Sequence, residues 1–296
     1  MTDIPRLGEV LALSAALCWA FGVVLFKRAG ESVPPLSLNL FKGCVGLVLL
    51  TPTVPLFGGD LFPAVPWTTW AMLMGSGFLG IAVADTMFFI SLERLGAGLT
   101  AVVDTSYTPI LIGLSYVWLG ERLTTADLVG AALIVSGLLV GGAERPPAGK
   151  TRSDLVIGSA VGVTGILVMG VGIVMVKPLL NELPVLWSAW VRLLGGTAGV
   201  VPFMVLHRDR RALFGVLRPS PSWRWAVPAS ILGPYLAMTS WIGGMKLIAV
   251  SRATLLNQLS TIFLFVLATV ILKEPLTSRR ALAVALALGG AVLVVS

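Results

Sequence analysis

Apolar residues in this chain come in long blocks, and most polar residues fall between them. The blocks are apolar on every face, so the strict alternation of a membrane-barrel strand is absent. They predict ten helical spans: 9–28, 35–57, 67–92, 98–119, 125–143, 155–177, 183–206, 224–247, 251–272 and 278–296. Most reach the ~20 residues that a helix needs to cross a hydrocarbon core. Thr105–Gly120, Leu155–Val176, Trp225–Met245 and Ala253–Leu272 carry no charge at all. Leu92–Gly98 and Leu247–Ser251 leave room only for tight helical hairpins. The longest connections are Gly58–Pro66, Glu144–Asp154 and His207–Trp223. The last is rich in Arg and Pro and reads as an aqueous loop.

Composition agrees. Of 296 residues, 56% are hydrophobic and 12% charged, and the mean hydropathy is +0.95. Soluble domains are about 25% charged, and this chain has too little polar surface to cover itself in water. An all-α membrane protein follows, with the lipid bilayer as its surroundings. The net charge of +7 does not point to nucleic acid. Basic residues sit singly or in short clusters between apolar runs, as in membrane loops, and no basic face interleaved with aromatics appears. Cys18 and Cys44 lie inside apolar runs and read as small buried hydrophobes. One histidine, His207, cannot build a histidine-rich metal or catalytic centre. No catalytic residue, metal site or cofactor is expected. The first apolar run, Val10–Phe26, is long enough to remain as a span rather than be cleaved as a leader.

The two halves of the chain can be laid on each other. At an offset of 150, Phe21–Lys27 meets Val171–Lys177 and Lys42 meets Arg192. At an offset of 153, Glu121-Arg122-Leu123-Thr124 meets Glu274-Pro275-Leu276-Thr277, Asp104 meets Asn257 and Thr108 meets Thr261. Matching charges argue against a chance alignment of apolar runs. Five spans per half is an odd number, so the second half enters the membrane the other way up. The expected architecture is ten transmembrane helices in two inverted-topology five-helix repeats around a central cavity. The repeats are placed at 1–143 and 155–296, with a linker at 144–154.

Each half closes on a short acidic hairpin that leads into a Gly-rich last span. The first is Leu119-Gly120-Glu121-Arg122-Leu123-Thr124 before Gly130–Gly137, and the second is Leu272-Lys273-Glu274-Pro275-Leu276-Thr277 before Gly289–Val294. With a basic residue early in the second span of each half, Lys42 and Arg192, the chain resembles the EamA type of the drug/metabolite transporter superfamily. The resemblance covers nearly the whole chain and is not specific for a substrate. It implies a secondary transporter of a small-molecule substrate in a bacterial cytoplasmic (inner) membrane, as a monomer or weak homodimer. Short loops and compact length are most similar to bacterial amino-acid exporters. Small four-helix multidrug relatives use an acidic residue inside their first span. Here the first span has only Glu9, at its edge, so that coupling scheme is not carried over.

Ionisable residues inside a span are costly and mark function by default. Lys42 and Arg192 lie seven to nine residues into their spans, too deep for easy exposure. They could attract a substrate carboxylate or pair with an acid of the fold. Asp85 and Asp104 could bind a substrate ammonium, pair with those cations, or titrate. Asp104, Tyr107, Thr108, Leu111 and Ser115 share one helical face, and Thr254, Asn257, Gln258, Thr261 and Phe265 share another. A polar stripe in lipid must look toward protein or water. Trp19 and Tyr235 add mid-span aromatics, with Trp241 beside them. Trp67, Trp70, Trp223 and Trp225 read as interfacial anchors, and Trp187 and Trp190 as either anchors or core. Pro109 and Pro234 could bend their helices. The expected substrate-binding set is Trp19, Lys42, Asp85, Asp104, Tyr107, Thr108, Arg192, Tyr235, Asn257 and Gln258.

With both termini inside, inside segments would carry five basic residues and outside segments fourteen. The positive-inside rule therefore favours termini outside. The functional expectation is export of small metabolites, amino acids first and aromatic or hydrophobic ones among them, by alternating access. A sugar-phosphate or nucleotide-sugar exchanger would need several cations converging on the cavity. An integral-membrane enzyme or a channel fits less well. No nucleotide-binding motif points to ATP drive.

Overall fold

The computed structural model describes residues 6–142, 151–271 and 278–295. Every long element is a helix, as it must be where lipid offers the backbone no hydrogen bonds. The first half holds α1 (Leu7–Gly30), α2 (Pro35–Leu56), α3 (Trp67–Gly77), α4 (Asp85–Asp104), α5 (Tyr107–Leu119) and α6 (Thr125–Gly142). The second holds α7 (Arg152–Glu182), α8 (Val185–Leu206), the short α9 (Arg210–Phe214), α10 (Trp223–Ser230), α11 (Met238–Leu247), α12 (Val250–Asn257), α13 (Leu259–Ile271) and α14 (Ser278–Val295). Helices α1, α2, Trp67–Leu95, α7 and α8 are each long and apolar enough to cross a membrane. Tyr107–Leu119, Thr125–Val140 and Ala281–Val294 are shorter apolar helices. The acidic hairpin at Lys273–Thr277 and most of the linker lie outside the described residues.

Local chemistry sets the helix ends. Thr151 caps α7 in a reciprocal box with Asp154, and Thr124 and Asp127 exchange the same bonds at the start of α6. These side chains take up amides that the first helical turn leaves orphaned. Pro35 opens α2 at a position where no amide is needed. α5 closes at Gly120, whose φ of 66° lies in the left-handed region.

Two departures from regular helix recur in both halves. Between α3 and α4 runs a π-helical segment, Phe78–Ala84, and between α10 and α11 runs another, Ile231–Ala237. They coincide at the offset of 153. Directly after them, Thr86 and Thr239 each donate their hydroxyl to the carbonyl four residues back, Ala82 and Tyr235, at 2.6 Å. Asn39 of α2 supports the first segment by donating to the Ile81 carbonyl at 2.7 Å. Pro234, which has no amide to lose, stands inside the second.

The second departure is a break in each fourth span. α4 gives way to α5 at Thr105–Ser106, and α12 gives way to α13 at Gln258. The spans expected at 98–119 and 251–272 are therefore discontinuous. In the first, Pro109 cannot donate to the Thr105 carbonyl and its ring would crowd it, so the helix restarts. Helical bonding continues through the hairpin expected at Leu92–Gly98. The chain nonetheless reverses there: a Cβ on Gly162 would lie 2.7 Å from the Ser91 hydroxyl and 2.8 Å from Val103.

The halves pack about a pseudo-two-fold axis. In such an interface each contact recurs with its partners exchanged. A Cβ on Gly22 of α1 would sit 3.5 Å from both the Ala229 carbonyl and the Gly233 amide. One on Gly172 of α7 would sit 3.2 Å from the Ser76 carbonyl and 3.6 Å from the Gly80 amide, which are the repeat mates of 229 and 233. α2 crosses α8, and α6 crosses α14 where Gly130 meets Gly290. α7 lies along α4 as α1 lies along α11. The small residues thus serve contacts within the chain. The main core straddles both halves, with Leu50, Leu73, Ile173, Trp187 and Leu193 among its buried members.

Some aromatic and loop expectations change. Trp187 and Trp190 are buried and donate to the Leu61 carbonyl and the Thr51 hydroxyl. Trp70, expected at the interface, packs edge-on to both. Trp67 is exposed. The 207–223 connection keeps Arg208, Arg210, Arg211 and Arg218 exposed but seats Leu213 and Val216 in the fold. Cys18 and Cys44 are free and half-buried rather than fully enclosed.

Candidate functional site

A cavity of about 230 Å³ lies between the halves, bounded by both π segments and both helix breaks. A water-sized occupant takes roughly 10–15 Å³ of such space. The chamber is many times that size, with room for a small metabolite. Of the expected residues, Trp19, Lys42, Asp85, Asp104, Tyr107, Arg192, Asn257 and Gln258 line it. Two expected residues do not. Tyr235 belongs to the second π segment and turns its hydroxyl to Thr53 of α2, 3.0 Å away. Thr108 is buried one residue past Tyr107, off the wall.

Each lining side chain is placed by a specific local feature. Asp85 is the first residue after the first π segment, and it forms an ion pair with Lys42 of α2. The Lys42 ammonium also lies 5.3 Å from the Phe89 ring centre. Asp104 and Tyr107 flank the break before α5, while Asn257 ends α12 and Gln258 is itself the break before α13. The breaks are tied together: Gln258 donates its amide to the Asp104 backbone carbonyl at 2.9 Å, one of the acceptors a helix end leaves open. The Asp104 carboxylate makes no ion pair among the described residues. Tyr107 faces Thr254 and Asn257 across the same junction.

Arg192 of α8 differs from Lys42. It is 3% exposed, and its Nε and Nη1 have no hydrogen-bond partner among the described residues. Its guanidinium lies 5.9 Å from the Trp241 ring centre. Gly80 leaves space beside Nη2, where a Cβ would come to 3.6 Å. The two basic residues matched in sequence thus have unlike fates, one ion-paired within the chain and one in no ion pair among the described residues. Met238, Trp241, Met169, Phe88, Ser260 and Thr261 complete much of the wall. The Thr261 and Trp241 positions were visible as polar-stripe and aromatic residues. Met238 and Met169 carry no signal in an apolar span.

The chamber is lopsided along the pseudo-two-fold. In the first half its lining reaches Leu92 and Thr100. In the second it stops at Trp241 and Asn257, short of the mates Met245 and Ala253. The short end is sealed by bonds to the α11–α12 hairpin. Lys177 donates to the carbonyls of Met245 and Ile248, and Lys246 to that of Leu183. Glu121 accepts from the Val250 amide at 2.9 Å, the Ser251 amide at 3.0 Å and the Ser251 hydroxyl at 2.7 Å. Arg252 reaches Asp127 at 3.1 Å. The acidic residue after Gly120 is therefore a cap that the first half places on a helix of the second.

The EamA-like transporter family matches residues 6–141 and 156–296, once in each half. The chain belongs to this family. It is an integral membrane protein of helical transporter type, built from two copies of the EamA unit. Among curated relatives, it is 30% identical over 139 residues to Uncharacterized transporter YvbV of Bacillus subtilis (strain 168), over 46% of this chain and 44% of that one. A transporter of Archaeoglobus fulgidus is 26% identical over 62% of this chain and 64% of its own. The Escherichia coli (strain K12) protein named "Probable amino-acid metabolite efflux pump" is 31% identical over 46% of this chain and 43% of its own. Each match spans less than two thirds of the relative's length. A solved crystal structure shares the fold, with a TM-score of 0.79 at 20% identity, over 97% of this chain and 95% of that chain.

Proposed function

We propose that this EamA-family member is a secondary transporter that crosses the membrane ten times and exports small metabolites, amino acids foremost, from a bacterial cytoplasm by alternating access. One observation carries the reading: a chamber of metabolite size lies between pseudo-symmetric halves, reaches toward one end and is closed at the other. A protein with two equivalent halves has two equivalent ways to close. Exchanging the roles of the halves would open the sealed end and seal the open one. The wall combines Trp19, Trp241 and Met238 with a few polar groups, the make-up of a small-molecule site. The efflux-pump name of the Escherichia coli relative supports amino acids as cargo.

The test is flux of labelled amino acids in proteoliposomes against protein-free vesicles. Saturable flux of one chemical group, with counterflow from preloaded vesicles, is expected. Correctly folded protein that moves no amino acid would overturn the cargo. Flux that does not saturate would overturn alternating access.

A further inference from the structure

A cation buried among apolar side chains needs a counter-charge. The first half supplies one from its own chain, since Lys42 is paired with Asp85. The pseudo-symmetry shows where the second half should do the same for Arg192. The π segments coincide at an offset of 153, and Thr86 and Thr239 make the same bond behind them. The residue that stands where Asp85 stands is therefore Met238. It lines the chamber together with Arg192, and it carries no charge. The other acids of the wall form no ion pair with Arg192 among the described residues: Asp85 acts on it from a distance but is bonded to Lys42, and Asp104 makes no ion pair.

We infer that Arg192 is the binding group for a carboxylate of the transported molecule, and that this carboxylate takes the place left open by Met238 in the second half. The inference rests on the transporter reading and names the chemistry of its cargo. A guanidinium offers two parallel N–H groups to a carboxylate, and its two such edges are Nε with Nη2 and Nη1 with Nη2. Nε and Nη1, one from each edge, lack a hydrogen-bond partner among the described residues. Trp241 flanks the guanidinium, and Gly80 keeps its other side clear. A phosphate dianion would call for further cations. Lys42 is already neutralised, and Lys177 and Lys246 are held by backbone carbonyls at the sealed end. A monocarboxylate with an apolar body and an ammonium, as in an α-amino acid, matches what remains.

The experiment adds an acid where symmetry leaves it out. Full-length protein in detergent is melted with phenylalanine or phenylacetate, and with phenylacetamide and phenethylamine as carboxylate-free controls. The wild type should be stabilised by the two carboxylates and not by the controls. Met238→Asp should fold with a melting point at or above the wild type and bind either carboxylate about tenfold more weakly or worse, the scale of one lost charge-assisted bond. Arg192→Met should lose the discrimination as well, and it serves where the aspartate variant does not fold. Equal stabilisation by phenylacetamide, undiminished binding by Met238→Asp or Arg192→Met, or no wild-type response to any carboxylate would overturn the inference. Flux separates this from the transporter reading. A wild type that moves amino acids while both variants keep full flux sinks the Arg192 role alone. A wild type that binds carboxylates yet moves none sinks the transport reading alone.

Discussion

The Lys42–Asp85 pair should behave as architecture, and a double-substitution cycle separates that from a role in cargo binding. The side chains are 3% and 13% exposed. Removing one member of a buried pair strands the other charge and costs about 3–5 kcal/mol. Lys42→Met and Asp85→Met should each destabilise by that amount. The double variant removes both charges and leaves two apolar side chains where the second half already keeps Met238. It should lie within about 1 kcal/mol of the wild type, because apolar replacement of a whole buried pair is often neutral. The coupling would then be roughly 5 kcal/mol or more. Arg192→Met should show the opposite profile. Its Nε and Nη1 have no partner among the described residues, so removing them should cost little stability while flux collapses. The assay is unfolding in mixed micelles at rising SDS, run beside proteoliposome flux. A Lys42→Met protein as stable as wild type but unable to transport would refute the assignment and make the pair part of the transport chemistry.

Gly77→Ala drives a methyl group into the Arg192 backbone carbonyl; overpacking of this kind costs about 1–3 kcal/mol, and the displaced Arg192 should lower flux, measured against Gly113→Ala, which meets open space. Gln258→Leu unties the two helix breaks and should cost about 1 kcal/mol, read by the same unfolding titration. Glu121→Gln weakens three bonds to the start of α12, at about 1–3 kcal/mol, and should speed maleimide labelling of a cysteine placed at Ile248. Lys177→Met should destabilise the closed end, whereas Lys27→Met, at the exposed repeat mate, should leave stability unchanged and still slow flux, because exchange of the halves brings Lys27 to the Leu92 and Leu95 carbonyls. Equal stability losses for the two lysine variants would contradict that exchange.

Much of this was legible from residue types and spacing alone. Lipid solvation dictates helices, so apolar runs located nearly every element. The charged matches at offsets of 150 and 153 exposed the repeat. Lys42, Asp85, Asp104 and Arg192 stood out because charge is rare at such depth, and all four reach the chamber. Which cation would be neutralised was not legible, since Lys42 and Asp85 lie 43 positions apart and both cations looked alike. The π segments were also silent. Nothing in Phe78–Ala84 distinguishes a wider turn from an α-turn, and nothing in Ile231–Ala237 shows that the Tyr235 hydroxyl meets Thr53. Asn39 was overlooked because an amide near a span end draws less notice than a charge, yet it holds the Ile81 carbonyl. The break at Gln258 has no proline to announce it, unlike the break ahead of Pro109.

The paired π segments also bear on ancestry. Seven-residue stretches of this kind are far rarer than α-helix, well under 1% of residues in proteins at large. Two of them at one register, each followed by a threonine making the same bond, are economically explained by descent from a single gene that already carried the feature. With an odd number of crossings, the product of that gene would have entered the membrane in both directions and worked as two copies of opposite orientation. A true dimer of that kind would have held two identical cation sites. Fusion of the copies freed them to diverge, and the difference between Asp85 and Met238 records that freedom.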